Sequence, residues 1–244
     1  MTTIHSLDTQ YVPIMFDCET LGTTPNTTPV LQLALVSFDP KTFEAKEEFE
    51  IFLPLNEQLI NGRKPNKSTV EWWEKPERRD VLNYILQGVN SAKPMNDALL
   101  ETYQWCMKQV QSVKSKGQVK TQFWAKPVGF DFPFLDGLYQ EYQVPSPFHF
   151  REVMDMKTYV MSMFEHVFYA IYKYPLPLGA NTEMYWLFND YAKNRGEDKG
   201  DDAHNATVDC HYQLEWIRWA KEHCDRILSH YDSTQQVKSY LETL

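Results

Sequence analysis

The sequence predicts an α/β fold in which a mixed β-sheet is flanked by α-helices. The first 52 residues contain three apolar, strand-like segments with short links, the pattern of an antiparallel meander. From residue 68 onward, helical periodicity alternates with further strand-like segments, which favours helices packed on the sheet. A chain of 244 residues can bury one large core. We therefore predict one domain over residues 1–244, with a core at about 12–223 and a peripheral C-terminal helical tail.

Turn residues bound the predicted strands. A segment rich in Thr, Pro and Asn at 23–29 separates the first strand from the second, and Asp39-Pro40 ends the second. The segments between these turns are rich in Val, Leu and Phe, as expected for buried strands. The predicted strands cover residues 12–16, 30–38, 43–52, 119–125 and 148–153.

Capping residues set the predicted helix boundaries. Ser68 and Glu71 have the spacing of a capping box, so a short helix is expected to begin at Ser68. Pro76 predicts the first turn of a helix over 77–86 that ends at Gly88. Asp131 and Asp155 are N-cap candidates. The other predicted helices cover residues 95–113, 132–142, 156–169, 183–191, 206–223 and 226–231, with loops at 172–178 and 194–202.

Composition narrows the class of protein. A net charge of −9 argues against nucleic-acid binding through a broad basic face, although bound cations could still bring phosphates to an acidic site. The four cysteines form no CxxC pair, which favours free thiols in a reducing compartment. The sequence shows neither a signal peptide nor an apolar run of membrane length, and we expect a cytoplasmic protein.

Two carboxylates follow the first predicted strand. Asp17 and Glu19 are two residues apart, so their side chains project from the same face of an extended chain. Adjacent carboxylates repel each other and are costly to desolvate, and a divalent cation between them would relieve both costs. The alternative is a polar strand end in which one carboxylate caps a turn.

Three more residues carry candidate chemistry. Asp131 stands among aromatic residues where a strand gives way to a helix, and a purely structural N-cap would explain it. His204 precedes Asp209 by five residues at a predicted helix start. The helix dipole favours an acidic residue in the first turn whatever its function, and a lone histidine is more often structural than catalytic.

Taken together, these segments resemble the DEDD exonuclease superfamily, which has the ribonuclease H-like fold. The resemblance covers about residues 12–216, and the four acidic positions of the family match Asp17, Glu19, Asp131 and Asp209. One branch of the superfamily has Tyr four residues before the last Asp, and the other has His five residues before it. His204 fits the second, or DEDDh, branch.

Finer motifs resemble one group within that branch, the phage exonuclease A (DexA) group. A related group of bacterial enzymes acts on RNA. These motifs are Glu-Trp-Trp at 71–73, Phe-Asp-Phe-Pro-Phe-Leu at 130–135 and Met-Asp-Met-Lys-Thr at 154–158.

The resemblance implies a 3′→5′ exonuclease that releases nucleoside 5′-monophosphates with two Mg²⁺ ions, for which Mn²⁺ would substitute. Asp17 would bridge both ions, Glu19 and Asp209 would complete the first site, and Asp131 would serve the second. His204 would accept the proton of the attacking water as general base.

The expected substrate is the 3′ end of a single strand, with DNA preferred and RNA as the alternative. The resemblance implies contacts from the backbone of Thr20 and Leu21 to the terminal 3′-hydroxyl, with Leu21 wedged against the last base. Phe130, Trp72 and Trp73 are candidates for base stacking, although at least one Trp is expected in the core. A non-catalytic nucleic-acid-binding or proofreading-type subunit is the remaining alternative. The sequence leaves the oligomeric state and the roles of residues 54–126 and 172–202 open.

Overall fold

The computed structural model of the chain describes residues 9–115, 117–172 and 204–241. Five strands in these ranges form one mixed sheet in the order β3-β2-β1-β4-β5. Strand β1 is antiparallel to β2 and parallel to β4. Strand β3 is antiparallel to β2, and β5 is parallel to β4. The strands are β1 Gln10–Thr20, β2 Val30–Phe38, β3 Ala45–Phe52, β4 Val119–Ala125 and β5 Val153–Asp155.

Several helices pack against strands of the sheet, which confirms the predicted α/β class. Short 3₁₀ turns at Pro76–Arg78 and Phe150–Glu152 precede α3 and β5. The α-helices are α1 Leu55–Ile60, α2 Lys67–Trp73, α3 Arg79–Asn90, α4 Met95–Ser112, α5 Val128–Tyr142, α6 Met156–Tyr172 and α7 Ala206–Leu241. No helix in the described part of the chain is both long enough and apolar enough to cross a membrane.

The chain divides into two compact units. The first comprises residues 1–155 and 199–214 and holds the whole sheet, and the second comprises 156–198 and 215–244. Within the second unit, Phe164 of α6 packs on Trp219 of α7 with ring centroids 5.7 Å apart. A single domain over residues 1–244 stays a prediction.

The main core lies on one face of β1. Ile14, Phe16 and Cys18 alternate along that face and are at most 4% exposed. They belong to a cluster that α4 and α5 complete, with Leu99 and Leu138 among its fully buried members. Because apolar burial contributes about 25 cal/mol per Å² of area removed from water, this face fixes the register of β1. The opposite face of β1 therefore carries Asp17 and Glu19.

A second, smaller core lies beyond the end of β1. Leu21 and Leu31 pack there with Trp73 of α2 and Ile85 of α3. This cluster joins α2 and α3 to the sheet next to the two carboxylates of β1.

The structure confirms four of the five predicted strands, with β1 longer than predicted, and moves several helix ends. Strands β2 and β4 have the predicted bounds. Asn66, not Ser68, caps α2, since its side chain accepts a hydrogen bond from the backbone N–H of Ser68. Helix α3 continues through Gly88 to Asn90, and the predicted strand over 148–153 is largely a 3₁₀ turn.

Asp131 and Asp155 do not have the predicted capping roles. Helix α5 begins at Val128, so Asp131 lies inside its first turn. The Asp155 carboxylate accepts a hydrogen bond from the backbone N–H of Val128 at 3.1 Å and so supports the start of α5 from the end of β5. The predictions for 183–191 and 194–202, and nearly all of that for 172–178, lie outside the described residues. All four cysteines are buried free thiols, as predicted.

Candidate active site

Strand β1 extends its last residues past the end of its parallel neighbour. The pairing of β1 with β4 stops at Met15 and Trp124, whereas its pairing with β2 continues through Asp17 and Glu19. Ligand sites in α/β sheets form in the crevice at the carboxyl ends of parallel strands where neighbouring connections diverge. Asp17 and Glu19 are only 9% and 8% exposed, so the sheet holds both carboxylates out of bulk water.

The start of α7 adds a histidine and a third carboxylate. The ligand atoms of Glu19, His204 and Asp209 all lie within 4.8 Å of one another. His204 has a φ of 72°, a left-handed conformation that non-glycine residues adopt mainly under structural or functional constraint. Asn205 caps the helix, because its side-chain oxygen accepts hydrogen bonds from the N–H groups of Thr207 and Val208.

Polar side chains of the sheet anchor this helix start. The side-chain oxygen of Gln32, a fully buried residue, accepts a hydrogen bond from the Ala206 N–H at 3.1 Å. Gln32 also donates to Glu50 at 2.7 Å, and Glu50 accepts from the Thr207 hydroxyl at 3.0 Å. Strands β2 and β3 therefore fix the segment that carries His204 and Asp209.

Asp131 approaches from α5. Its Oδ1 accepts hydrogen bonds from both the backbone N–H and the thiol of Cys18, each at 3.2 Å. Burial raises the pKa of Asp131 to about 7, and the negative charge of Asp209 contributes to the rise. Burial also raises the pKa of Cys18, with further contributions from the charges of Asp131, Asp17 and Glu19. The charges of all four predicted carboxylates therefore influence either Cys18 or one another, so the four groups lie close together.

Gln213 is a polar contact of the site that the sequence did not suggest. Its side-chain N–H donates to Asp17 Oδ1 at 2.9 Å, and the residue is 4% exposed. Gln213 lies four residues after Asp209, so both side chains project from the same face of α7. That spacing was the only available signal.

A cavity of about 370 Å³ adjoins the carboxylates. Of the residues expected to contact substrate, Thr20, Phe130 and Trp73 line it. Leu21 does not belong to the lining set and packs instead into the second core. Trp73 is 1% exposed and donates its indole N–H to the Thr20 carbonyl at 3.0 Å, so it forms a wall of the cavity. The lining residues are Cys18, Glu19, Thr20, Gly22, Thr23, Ser68, Thr69, Trp72, Trp73 and Phe130.

Trp72 connects this cavity to His204. The two rings are nearly perpendicular, with centroids 4.6 Å apart. The guanidinium carbon of Arg78 lies 3.9 Å from the centroid of the Trp72 ring, in cation–π geometry. Arg78 and His204 thus both pack against Trp72, which the sequence suggested only as a base-stacking candidate.

The donor set fits a hard divalent cation. Carboxylate oxygens are the preferred protein ligands of Mg²⁺, and Mn²⁺ also accepts an imidazole. Burial raises the pKa of Asp131 because its charged form is costly to desolvate, and a bound cation would offset that cost. Glu19 and Asp209, with His204 between them in reach, would hold one such ion.

The mixed sheet and the acid cluster fit the ribonuclease H-like fold and the DEDDh exonuclease superfamily that the sequence resembles. A family model described as the 3′-5′ exoribonuclease Rv2179c-like domain matches residues 12–177, more than half of the chain. The chain belongs to this family. No protein with a curated description matches the sequence.

Solved structures share the fold. E. coli exonuclease I in complex with a dT13 oligonucleotide aligns with a TM-score of 0.58 at 14% identity, over 91% of this chain and 43% of exonuclease I. The zinc-bound complex of E. coli exonuclease I with single-stranded DNA aligns with a TM-score of 0.58 at 14% identity. The alignment covers 92% of this chain and 43% of exonuclease I. The nuclease domain of 3′hExo, a DEDDh family member bound to rAMP, aligns with a TM-score of 0.53 at 13% identity. The alignment covers 87% of this chain and 92% of that domain. The chain spans less than half the length of exonuclease I.

Proposed function

We propose that this chain hydrolyses single-stranded nucleic acid one nucleotide at a time from the 3′ end. Water adds to the terminal phosphorus, the bond from phosphorus to the 3′ oxygen of the preceding nucleotide breaks, and a nucleoside 5′-monophosphate leaves. The observation that carries the proposal is the grouping of Glu19, His204 and Asp209 within 4.8 Å of one another beside a cavity of about 370 Å³. That volume falls in the usual range for a small-ligand site, which suits a terminal nucleotide.

The side chains divide the chemistry between them. Asp17, Glu19, Asp131 and Asp209 would hold Mg²⁺ or Mn²⁺. When bound, such ions lower the pKa of a coordinated water and offset the charge that builds up on the phosphate. His204 accepts the proton of the attacking water, because the ordinary pKa of an imidazole lies near neutrality.

The cavity would bind the terminal nucleotide. Phe130 and Trp72 offer aromatic surfaces for the base, each stacking contact being worth roughly 1–3 kcal/mol. Thr20 lines this cavity beside Glu19 and would contact the terminal ribose.

RNA is the first candidate polymer, because the family to which the chain belongs is described by an exoribonuclease. DNA, which the sequence put first, is the second candidate. It is favoured by the single-stranded DNA held in the exonuclease I complexes. The two polymers differ at the 2′-hydroxyl, so one pair of matched oligonucleotides separates them.

The test uses RNA and DNA oligonucleotides of one sequence, labelled at the 5′ or the 3′ end. We expect 3′-labelled substrate to release labelled mononucleotide in Mg²⁺, and 5′-labelled substrate to shorten stepwise. Excess chelator or a 3′-phosphate should stop both reactions. Internal fragments, or no shortening of either polymer, would contradict the proposal.

Asp17→Asn supplies the matched inactive variant. Loss of the Asp17 carboxylate should lower the rate of nucleotide release by more than about 100-fold, the upper end of the loss seen when only an outer-sphere partner of a metal is removed. The far-ultraviolet circular dichroism should match that of the parent chain. Wild-type activity in this variant would rule out the assigned site.

A further inference from the structure

We propose that Gln213 is a positioning residue that orients Asp17 for cation binding. The side-chain amide of Gln213 donates to Asp17 Oδ1 at 2.9 Å, and both residues are at least nine-tenths buried. Helix α7 therefore reaches the centre of the site at two points on one face, through Asp209 and, one turn later, through Gln213.

The chemistry of the pair fixes the orientation of the amide. An ionised carboxylate only accepts hydrogen bonds, so the NH₂ group of Gln213 must face Asp17. The Oε1 of Gln213 is then a buried acceptor that finds no protein donor in the described ranges. An unsatisfied buried acceptor is costly to keep, which argues against a purely structural role for this amide.

The hydrogen bond has a direct consequence for a cation ligand. The hydrogen bond to Oδ1 holds the Asp17 carboxylate in one rotamer before a cation binds. Cation binding therefore does not have to order this side chain and costs less conformational entropy. Hydrogen bonds to the ligands of metals typically account for 10–100-fold in metal affinity or activity. We assign that effect to Gln213.

The inference rests on the proposed function, so the experiment begins with the unmodified chain. Protein freed of metal by chelator is titrated with Mg²⁺, and the melting temperature (Tm) is followed by scanning calorimetry. Nucleotide release is measured over the same Mg²⁺ range. Bound cation should raise the Tm, because a ligand that binds only the folded state stabilises it.

Gln213→Met keeps the side-chain length and removes the hydrogen bond. We expect the Mg²⁺ concentration for half-maximal Tm increase, and that for half-maximal activity, to rise at least about 10-fold. The maximal rate at saturating Mg²⁺ should recover to within about threefold of the parent value, because the carboxylates themselves are intact.

Gln109→Met is the matched control. Gln109 is also buried, at 6% exposed, and its amide also donates to a carboxylate at 2.9 Å, that of Glu47. The same substitution there should leave both Mg²⁺ midpoints unchanged. Gln213→Asn, which keeps an amide but cannot reach Asp17, should repeat the shift if Gln213→Met folds poorly.

The outcomes separate the two proposals. If the parent chain responds to Mg²⁺ and both Gln213 variants keep its midpoints, the role of Gln213 is wrong and the nuclease proposal stands. If the parent chain shows neither a Tm increase nor nucleotide release, both proposals fail. An equal shift in Gln109→Met would also refute the assignment, since it would reflect a general loss of stability.

Discussion

Asp131 is the carboxylate whose environment differs most from water. It is 2% exposed, and its carboxylate accepts hydrogen bonds from the backbone N–H and the thiol of Cys18. Burial raises its pKa to about 7 from an ordinary value of 3.8. At neutral pH the charged form of Asp131 therefore destabilises the metal-free fold. The proposed function uses that charge to bind a cation, a common trade between stability and activity.

This shift gives a pH dependence of stability with a definite sign. Between about pH 4 and pH 7 the folded state keeps a proton on Asp131 that the unfolded state has lost. The free energy of unfolding of metal-free protein should fall across this window, by up to about 4 kcal/mol, and level off above it. Denaturant titrations in chelator at pH 4.5, 6 and 8 would measure the fall. A rise over this range would contradict the prediction.

Asp131→Asn isolates the residue responsible. The neutral amide keeps an acceptor for Cys18 and removes the buried charge, so the Tm of metal-free protein at pH 8 should rise by about 4 °C or more. At pH 4.5 the two proteins should melt within about 2 °C of each other. Nucleotide release should be lost, since a cation ligand is gone. Equal Tm values at pH 8 would show that Asp131 is not strained.

At the scale of elements, the turn after β1 shapes the cavity through Gly22. A Cβ placed there would lie 2.4 Å from Thr28 Cγ2 and 3.1 Å from the Asn66 Cβ. Asn66 is the N-cap of α2, and its backbone N–H donates to the Leu21 carbonyl at 2.7 Å. The close approach at Gly22 therefore holds α2, with Trp72 and Trp73, against the end of β1.

Gly22→Ala should force this contact apart. Overpacking of this kind typically costs about 1–3 kcal/mol, which corresponds to a fall in Tm of several degrees, and the displaced α2 should raise KM for the oligonucleotide. Gly129→Ala is the control for stability, because a Cβ at this helical glycine meets nothing within 4 Å. Its Tm should be unchanged or slightly higher. Equal Tm values for both variants would show that the turn can relax.

The start of α7 depends on Gln32 and Glu50 rather than on its own sequence alone. Gln32→Met would leave the buried N–H of Ala206 without its acceptor, at a typical cost of about 1–3 kcal/mol. Because His204 and Asp209 flank this point, the rate of nucleotide release should fall at least about 10-fold. Tyr84→Phe removes a neighbouring, exposed hydrogen bond to Glu50 and should keep nearly full activity. Equal activities would show that the anchor does not position the site.

The sequence predicts the sheet better than the helix ends, for a physical reason. Strand β2 is a mainly apolar run that ends before Asp39-Pro40, and β4 lies between Gly117 and Pro127, so local pattern alone bounds both strands. The start of α5 depends on Asp155, 27 residues away from Val128 along the chain, a partner that no local pattern reveals. Asn66 and Ser68 are both good caps, and only the backbone geometry selects between them.

Some residues of the candidate site were also predictable from local sequence, and others were not. Local order suggested a cation at Asp17 and Glu19, whereas the link to Asp131, His204 and Asp209 came from a family resemblance. Gln213 was missed, because a glutamine in a helix has no distinctive signal until the fold places it against Asp17.

For the whole molecule, the net charge of −9 sets the response to salt. A protein that binds nucleic acid through 6–10 phosphate contacts loses about 10³–10⁵ in affinity between 50 and 200 mM salt. An acidic chain that meets phosphate mainly through bound cations releases few counterions. At fixed Mg²⁺, kcat/KM should therefore change by less than about threefold over this range. A steep fall would reveal a basic binding track.

The central position of β1 also bears on the life of the protein during synthesis. During synthesis, Asp209 follows its partner Asp17 by 192 residues, since 209 − 17 = 192. The ribosome must therefore pass Asp209, and β1 must already lie between β2 and β4, before a complete set of carboxylates can form. A growing or partly degraded chain lacks that set. Nucleic acid near the ribosome is therefore exposed to nuclease activity only after the whole fold has formed.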